Sequence, residues 1–176
     1  DHISLWRAAT SFPHGNGLRP LSMLSFGLNY FIAGGFHPDA FKLANIIIHA
    51  CIFSVLAVFL RDLFFFLGFC GEKSYWVSLG VSLFWALHPI NVSTVLYVVQ
   101  RMQMLATLFM LLALWCYLRW RRSQVAGNSV WKGLGWVFLF WFLALMSKED
   151  SVLLPAYIFI LEYSIIQFRA ASKKTR

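Results

Sequence analysis

The stretch FKLANIIIHACIFSVLAVFL, residues 41–60, decides the fold class of this chain. It contains one charged side chain, Lys42, and it is followed directly by Arg61. At about 1.5 Å per residue, a helix from Lys42 to Arg61 is roughly 28 Å long, close to the hydrocarbon thickness of about 30 Å. Because lipid offers a backbone no hydrogen-bond partners, the stretch is predicted to be a membrane-spanning helix.

The composition of the whole chain indicates the same class. Of its 176 residues, 60% are hydrophobic and 12% are charged, whereas soluble domains carry about 25% charged residues. So much apolar surface does not fit in one water-soluble core, so an all-α, polytopic membrane helical bundle is predicted, without a soluble second domain. The cysteines Cys51, Cys70 and Cys116 have neither zinc spacing nor an even number, and they are interpreted as small apolar fillers.

Five membrane spans and one surface helix are predicted from the apolar segments. Residues 20–33 are apolar but carry Ser22, Ser25 and Asn29, and they are too short to span. They are predicted to form an interfacial helix that begins at Pro20, a residue suited to a first helical turn. The predicted spans cover approximately residues 41–60, 75–87, 102–118, 131–146 and 152–168.

The basic residues predict the orientation of the bundle. They concentrate between the third and fourth spans and in the tail: Arg119, Arg121, Arg122 and Lys132, then Arg169, Lys173, Lys174 and Arg176. Both regions should be cytoplasmic, and two spans separate them, so the assignments agree. The predicted organisation is therefore an extracytoplasmic loop with the interfacial helix (1–40), a transmembrane bundle (41–168) and a basic cytoplasmic tail (169–176).

The net charge of +8 does not predict a nucleic-acid partner. The basic residues lie at the ends of apolar segments and in the tail, with no basic face interleaved with aromatic residues. Membrane lipids are the expected surroundings. No cofactor is expected, and no metal site either, because the histidines show no close paired spacing: His2, His14, His37, His49 and His88.

The outer side retains basic residues that go against the charge bias, namely Arg7, Arg19, Lys42, Arg101 and Lys148. These residues, except Arg7, and the polar residues near them are the predicted site residues. Lys42, Asn45 and His49 are spaced by three and four residues, so they share one face of the first span. Polar groups at that depth require partners or water. Two interpretations stay open, a hydrogen-bonded seam between helices and the lining of a wet cavity.

A second polar stripe precedes the third span. His88-Pro89 ends the second span, either as a plain helix stop or as part of a site. After it, polar side chains recur at helical spacing up to Arg101, which stands beside Gln100 at the outer end of the third span. The planar fork of an arginine suits bidentate phosphate binding, and an ordinary lipid headgroup would also satisfy it.

The turn between the fourth and fifth spans carries Lys148, Glu149 and Asp150. A lysine there could neutralise a phosphate, and a carboxylate could act as a base or position an acceptor hydroxyl. A solvated turn is the alternative. Arg19, which opens the interfacial helix, is predicted to lie on the same side of the membrane.

Four motifs occur together in order and spacing: RPLSMLSFGLNY (19–30), FKLANIIIHA (41–50), LFWALHPINVSTVLYVVQRMQMLATLFMLLALWCYL (83–118) and LALMSKEDSVLLPAYIFILEY (143–163). They resemble the membrane part of the transmembrane-and-tetratricopeptide-repeat protein O-mannosyltransferases and their bacterial relatives, in the C-type glycosyltransferase superfamily. The resemblance implies transfer of a sugar from a polyprenyl-phosphate carrier to a protein or glycan acceptor outside the cytoplasm. The form VQR (99–101) resembles the bacterial branch and implies a bacterial inner membrane.

The resemblance also implies roles for the site residues. Arg19, Arg101 and Lys148 would bind the carrier phosphate, and Glu149 would support the acceptor or catalysis. The family places an acidic motif in the first external loop after its first span, and neither is evident in this chain. Two rival classes remain, a transporter or flippase fragment for an anionic lipid and a non-catalytic membrane subunit. The remaining substrate-binding residues would line the cavity: Lys42, Asn45, His49, His88 and Gln100.

The orientation leads to a labelling prediction. Cysteines introduced at Asn16 and Asn91 should react with a membrane-impermeant thiol reagent added to intact cells. A cysteine at Asn128, in the basic loop, should stay unlabelled because that loop is predicted to be cytoplasmic. Reaction at Asn128 in intact cells would reverse the orientation and move the proposed site to the cytoplasmic side.

Overall fold

In the computed structural model, residues 19–69, 71–126 and 131–168 are described, and all regular structure in these ranges is helical. The prediction of an all-α chain is confirmed. Residues 1–18 of the predicted loop, Cys70 and the predicted tail (169–176) lie outside the described residues. The helices are α1 (Pro20–Ala33), α2 (Pro38–Phe66), α3 (Glu72–Ala86), α4 (Asn91–Leu96), a 3₁₀ turn (Val98–Gln100), α5 (Arg101–Val125), α6 (Trp131–Leu145), a second 3₁₀ turn (Glu149–Leu153), α7 (Leu154–Leu161) and a π turn (Glu162–Ile166).

Among the described residues, two helices are long and apolar enough to cross a membrane. They cover Pro38–Phe66 and Val98–Val125, which correspond to the first and third predicted spans. Helices α3 and α6 have 15 residues each, about 22 Å, and fall short of the hydrocarbon thickness. Helix α7 is shorter still, with 8 residues before the π turn. Five full spans are therefore not confirmed, because helix breaks near Gly71, Pro89 and Lys148 shorten the other three segments.

Helix α1 follows the predicted boundaries of the surface helix. Pro20 occupies its first turn, and Gly34 ends it in the left-handed conformation, with φ 70°. Ser22 is fully buried, and its hydroxyl donates a hydrogen bond of 2.9 Å to the carbonyl oxygen of Ser147. The backbone N–H of Leu21 donates to the Met146 carbonyl at 3.2 Å. Polar groups of α1 thus attach it to the turn after α6.

The packed core lies where α2, α5, α6 and α7 meet. Helix α5 packs against both α2 and α6, and α3 packs against α2. The face that α3 buries carries serines at every fourth position, Ser74, Ser78 and Ser82, and small residues let two helices approach closely within a membrane. The central core cluster consists of Phe59, Phe66, Ala113, Tyr117, Leu118, Val137, Leu154 and Ile166.

The last turns of α2 and α5 lie at one end of the bundle, which we call the Asp62 end. Two buried carboxylates, Asp62 and Glu162, form hydrogen bonds and ion pairs there. The Trp115 indole donates to Asp62 Oδ2 at 2.8 Å, and Arg122 lies 3.8 Å from Asp62 Oδ1. Glu162 accepts from the Tyr117 hydroxyl at 2.6 Å and from Arg121 Nη2 at 3.1 Å. Neither carboxylate was predicted as a site residue from the sequence. The partners named above lie more than 40 residues away along the chain, although Arg61 also lies 3.9 Å from Asp62 Oδ1.

A glycine marks the closest approach of α5 and α6. A Cβ placed on Gly133 would lie 2.9 Å from Cδ1 and 3.0 Å from Cβ of Trp120. Gly133→Ala should therefore destabilise the protein by about 1–3 kcal/mol, because the Trp120 Cβ cannot move without its backbone. The decrease in melting temperature of the purified protein in detergent measures this effect.

Gly135 is the matched control in the same helix. A Cβ placed there meets nothing within 4 Å, so Gly135→Ala should be neutral or stabilise the helix by up to about 1 kcal/mol. Equal melting temperatures for the two variants would show that α5 and α6 are not packed as described.

Candidate functional site

Arg19 and Glu149 form a bidentate ion pair at the other end of the bundle. Arg19 Nε donates to Glu149 Oε2 at 2.9 Å, and Arg19 Nη2 donates to Oε1 of the same carboxylate. Arg19 immediately precedes α1, and Glu149 opens the 3₁₀ turn between α6 and α7. Parallel hydrogen bonds of this kind fix the orientation of both groups.

Lys148 joins this pair to the first turn of α5. Its Nζ donates to Gln103 Oε1 at 2.5 Å and lies 2.8 Å from Asp150 Oδ2. Arg19 Nη1 reaches the same turn, with the Met102 sulfur as acceptor at 3.3 Å. We call Arg19, Gln103, Lys148, Glu149 and Asp150 the Glu149 cluster. The structure thus brings together three residues that the sequence analysis placed in one site: Arg19, Lys148 and Glu149.

The electrostatics of the cluster keep Glu149 ionised. Hydrogen bonds from Arg19 lower the pKa of the Glu149 carboxyl, and the charges of Arg19 and Lys148 act in the same direction. A carboxylate with a lowered pKa is a weak general base. Arg19 occupies one side of the carboxylate, and the Glu149 side chain is 61% exposed, so its other lone pairs remain open to hydroxyl donors.

Arg101 lies beneath this surface and is fully buried, with 1% of its area exposed. Four N–H···acceptor contacts use its guanidinium, which has five N–H groups in all. Nε donates to Asn45 Oδ1 at 2.8 Å, Nη1 to the Ser25 carbonyl at 3.3 Å, and Nη2 to Asn29 Oδ1 and the Phe41 carbonyl, each at 2.8 Å.

Aromatic rings complete the Arg101 environment. The guanidinium carbon lies 4.7 Å from the Phe26 ring centre and 5.3 Å from that of Phe41, both within cation–π range. The expected role of Arg101 as a phosphate ligand does not fit this geometry, because its planar fork already binds acceptors on α1 and α2. Internal pairing accounts for a basic residue at the end of α5 that is predicted to be extracytoplasmic.

The predicted polar face of α2 has three different environments. Asn45 is buried, and its amide also donates to the Val95 carbonyl at 3.0 Å. Lys42 is half exposed, and its nearest carboxylate oxygen, on Asp39, is 3.7 Å away. His49 Nε2 lies 2.9 Å from the Ala86 carbonyl at the end of α3. For Asn45 and His49 this geometry favours the helix–helix seam over a cavity lining.

His88 and Gln100 lie in the segment between α3 and α5. His88 is exposed, and its Nδ1 accepts the Ile90 backbone N–H at 3.2 Å, an arrangement typical of a helix stop. Gln100 lines an open groove of about 340 Å³ together with Ser93, Leu96 and Tyr97. Among the described residues, no side-chain hydrogen bond or ion pair joins His88 or Gln100 to the Glu149 cluster.

Relatives with curated names match most of the chain. Protein O-mannosyl-transferase TMTC4 of Homo sapiens is 32% identical over 162 residues, 86% of this chain and 22% of that protein. Tmtc2 of Drosophila melanogaster is 34% identical over 140 residues, 79% of this chain and 14% of that protein. TMTC3 of Homo sapiens is 32% identical over 150 residues, 85% of this chain and 15% of that protein.

The chain belongs to the protein O-mannosyl-transferase family. The family resemblance read from the four motifs is confirmed. The chain spans less than a quarter of the length of these relatives. No family model matches the chain, and no solved structure matches it. These protein O-mannosyl-transferases are animal proteins, so the expected bacterial inner membrane has no support from them.

The ion pair of Arg19 and Glu149 predicts a pH-dependent stability. Because the folded-state pKa of Glu149 is lowered, the pair stabilises the protein above the unfolded-state pKa, and this contribution is lost as pH falls through the folded-state value. The wild type should therefore exceed Glu149→Gln in stability at pH 7, by no more than about 1 kcal/mol for so exposed a pair. The difference should shrink as pH falls below about 4.5, the ordinary value for a glutamate.

The measurement is urea unfolding in detergent at several pH values. Arg19→Gln provides the control, since in that background the effect of Glu149→Gln on stability should depend much less on pH, with only the backbone and Lys148 still lowering the pKa of Glu149. A difference between wild type and Glu149→Gln that grew on acidification would contradict the ion pair.

Proposed function

We propose that this chain is part of the membrane region of a glycosyltransferase that moves a sugar from a polyprenyl-phosphate carrier to a protein or glycan acceptor. The Glu149 cluster would be its charged face on the extracytoplasmic side. The single observation that carries the proposal is the position of this cluster at one end of a membrane bundle, in a chain whose relatives are named protein O-mannosyl-transferases.

The chemistry of the cluster supports a lipid-linked phosphate as one ligand. Arg19 and Lys148 have side chains about one quarter exposed, and each retains N–H groups beyond those used in the protein. They stand over the first turn of α5, where the membrane-spanning segment begins. A carrier whose tail lies in lipid would present its phosphate at this level, and two cations would stabilise the charge of the departing phosphate.

Glu149 supports the same proposal as a ligand for hydroxyl groups. Its carboxylate is held by Arg19 and remains open on its other side. A fixed, ionised carboxylate accepts hydrogen bonds from the hydroxyls of a sugar or of an acceptor. A carboxylate with a lowered pKa is better suited to orient such hydroxyls than to abstract a proton from them.

The polarity of the bundle supports the extracytoplasmic placement. Four arginines lie at the Asp62 end: Arg61, Arg119, Arg121 and Arg122. Basic residues favour the cytoplasmic side, so the Glu149 cluster would face the opposite compartment. The basic residues of the cluster are compatible with that side because Glu149 and Asp150 partly neutralise them.

A non-catalytic membrane subunit is the second candidate. It is favoured by the internal pairing of Arg19, Lys148 and Arg101, because paired cations stabilise a bundle without any ligand. The two candidates differ in one respect. Only the enzyme requires the open faces of Lys148 and Glu149.

Transfer by the full-length protein in membranes distinguishes these candidates. Lys148→Met and Glu149→Gln should each lower the rate of sugar transfer from a lipid-linked donor by about ten- to a hundredfold, the effect of losing a charge-assisted contact. Lys73→Met and Glu72→Gln are matched controls, since both residues are exposed at the start of α3, and their transfer should remain at the wild-type rate. Wild-type transfer by Lys148→Met and Glu149→Gln, at equal protein levels, would favour the subunit.

A further inference from the structure

We infer that Arg101 is a positioning residue that holds α1 where Arg19 meets Glu149. The inference deepens the proposed function and rests on it for its catalytic consequence. Its structural part depends on three attachments alone: Arg101 to α1, α1 to the turn after α6, and Arg19 to Glu149.

The first attachment is made by the middle and end of α1. Asn29 Oδ1 and the Ser25 carbonyl accept hydrogen bonds from the two terminal nitrogens of Arg101. The Phe26 ring lies against the same guanidinium. These three contacts, at residues 25, 26 and 29, fix both the rotation of α1 about its axis and its position along that axis.

The second attachment is made by the beginning of α1. Leu21 and Ser22 donate hydrogen bonds to the carbonyls of Met146 and Ser147, directly before Lys148 and Glu149 in the chain. The first N–H groups of a helix have no partner within the helix. Protection of the Leu21 N–H from hydrogen exchange therefore measures the docking of α1 on the turn after α6, and not the formation of α1 itself. Since α1 is one helix of 14 residues, a shift at Asn29 moves Arg19 as well.

A buried guanidinium is suited to this role because it tolerates few alternative arrangements. Any displacement of α1 that removes Asn29 or Ser25 leaves N–H groups of Arg101 buried without acceptors, which is costly for a charged group. The other half of the fork is held by Asn45 and the Phe41 carbonyl on α2. Arg101 therefore sets α1 relative to α2 as well as relative to its own helix, α5.

Hydrogen exchange at the Leu21 amide tests the positioning directly. Asn29→Ala removes one acceptor of Arg101, so in the full-length protein Leu21 should exchange about tenfold faster. Asn29→Asp keeps an acceptor oxygen and should retain the wild-type rate. Leu28→Ala, a change at an exposed position of α1, controls for general loosening and should also leave the rate unchanged.

Arg101→Lys should accelerate Leu21 exchange as well. A lysine ammonium lacks the planar fork with which Arg101 binds acceptors on both α1 and α2. If that variant does not fold, the comparison of Leu21 exchange between Asn29→Ala and Asn29→Asp tests the inference instead. Equal Leu21 exchange in wild type and Asn29→Ala would overturn the inference.

The rate of sugar transfer tests the catalytic consequence of the inference. Asn29→Ala should lower transfer in the wild-type background and have no further effect when combined with Glu149→Gln, because both changes act on the meeting of Arg19 with Glu149. Additive losses would overturn the positioning role. If Glu149→Gln alone left transfer unchanged, the proposed function would fail while the exchange result at Leu21 still decided the structural part.

Discussion

The buried charge of Arg101 is the constraint on which the packing of α1 against α2 and α5 depends. An arginine at the start of a helix that is long and apolar enough to span a membrane, with 1% of its surface exposed, has to find acceptors within the protein. A hydrogen bond to a charged group contributes about 1.5–3 kcal/mol, so the loss of any one acceptor is costly. The chain meets this requirement with two asparagines and two backbone carbonyls from α1 and α2. The location of the surface helix follows from that requirement.

Charge is distributed differently at the two ends of the bundle. At the Asp62 end, both carboxylates are nearly fully buried and each is close to an arginine. In the Glu149 cluster, the carboxylates of Glu149 and Asp150 are more than half exposed. Buried pairs of the first kind hold helices together, whereas exposed carboxylates leave lone pairs for other donors. This contrast separates a structural polar network from a surface with room for a ligand.

Some parts of the site followed from the sequence and others did not. Arg19 was predicted to lie on the same side of the membrane as the turn with Lys148 and Glu149, because all three flank apolar segments; the ion pair between Arg19 and Glu149 was not predicted. Lys42, Asn45 and His49 were predicted to form one polar face, but each of them lies in a different environment. Helical spacing places side chains on one face, but the neighbouring helix at each level determines whether a side chain meets water, an amide or a helix end.

The sequence by itself determined the all-helical class, the two long apolar helices, the helix over residues 20–33 and the family. These properties depend on local apolar length, on proline and glycine at helix ends, and on ordered motifs. Only the tertiary structure decided the partners of the ionisable residues. Arg101 lies 56 residues from Asn45 and 72 from Asn29 in the chain, and no periodic pattern connects positions so distant. Pairing over such distances is set by which helices pack together, so a residue that resembles a free phosphate ligand in the sequence is a buried structural centre in the fold.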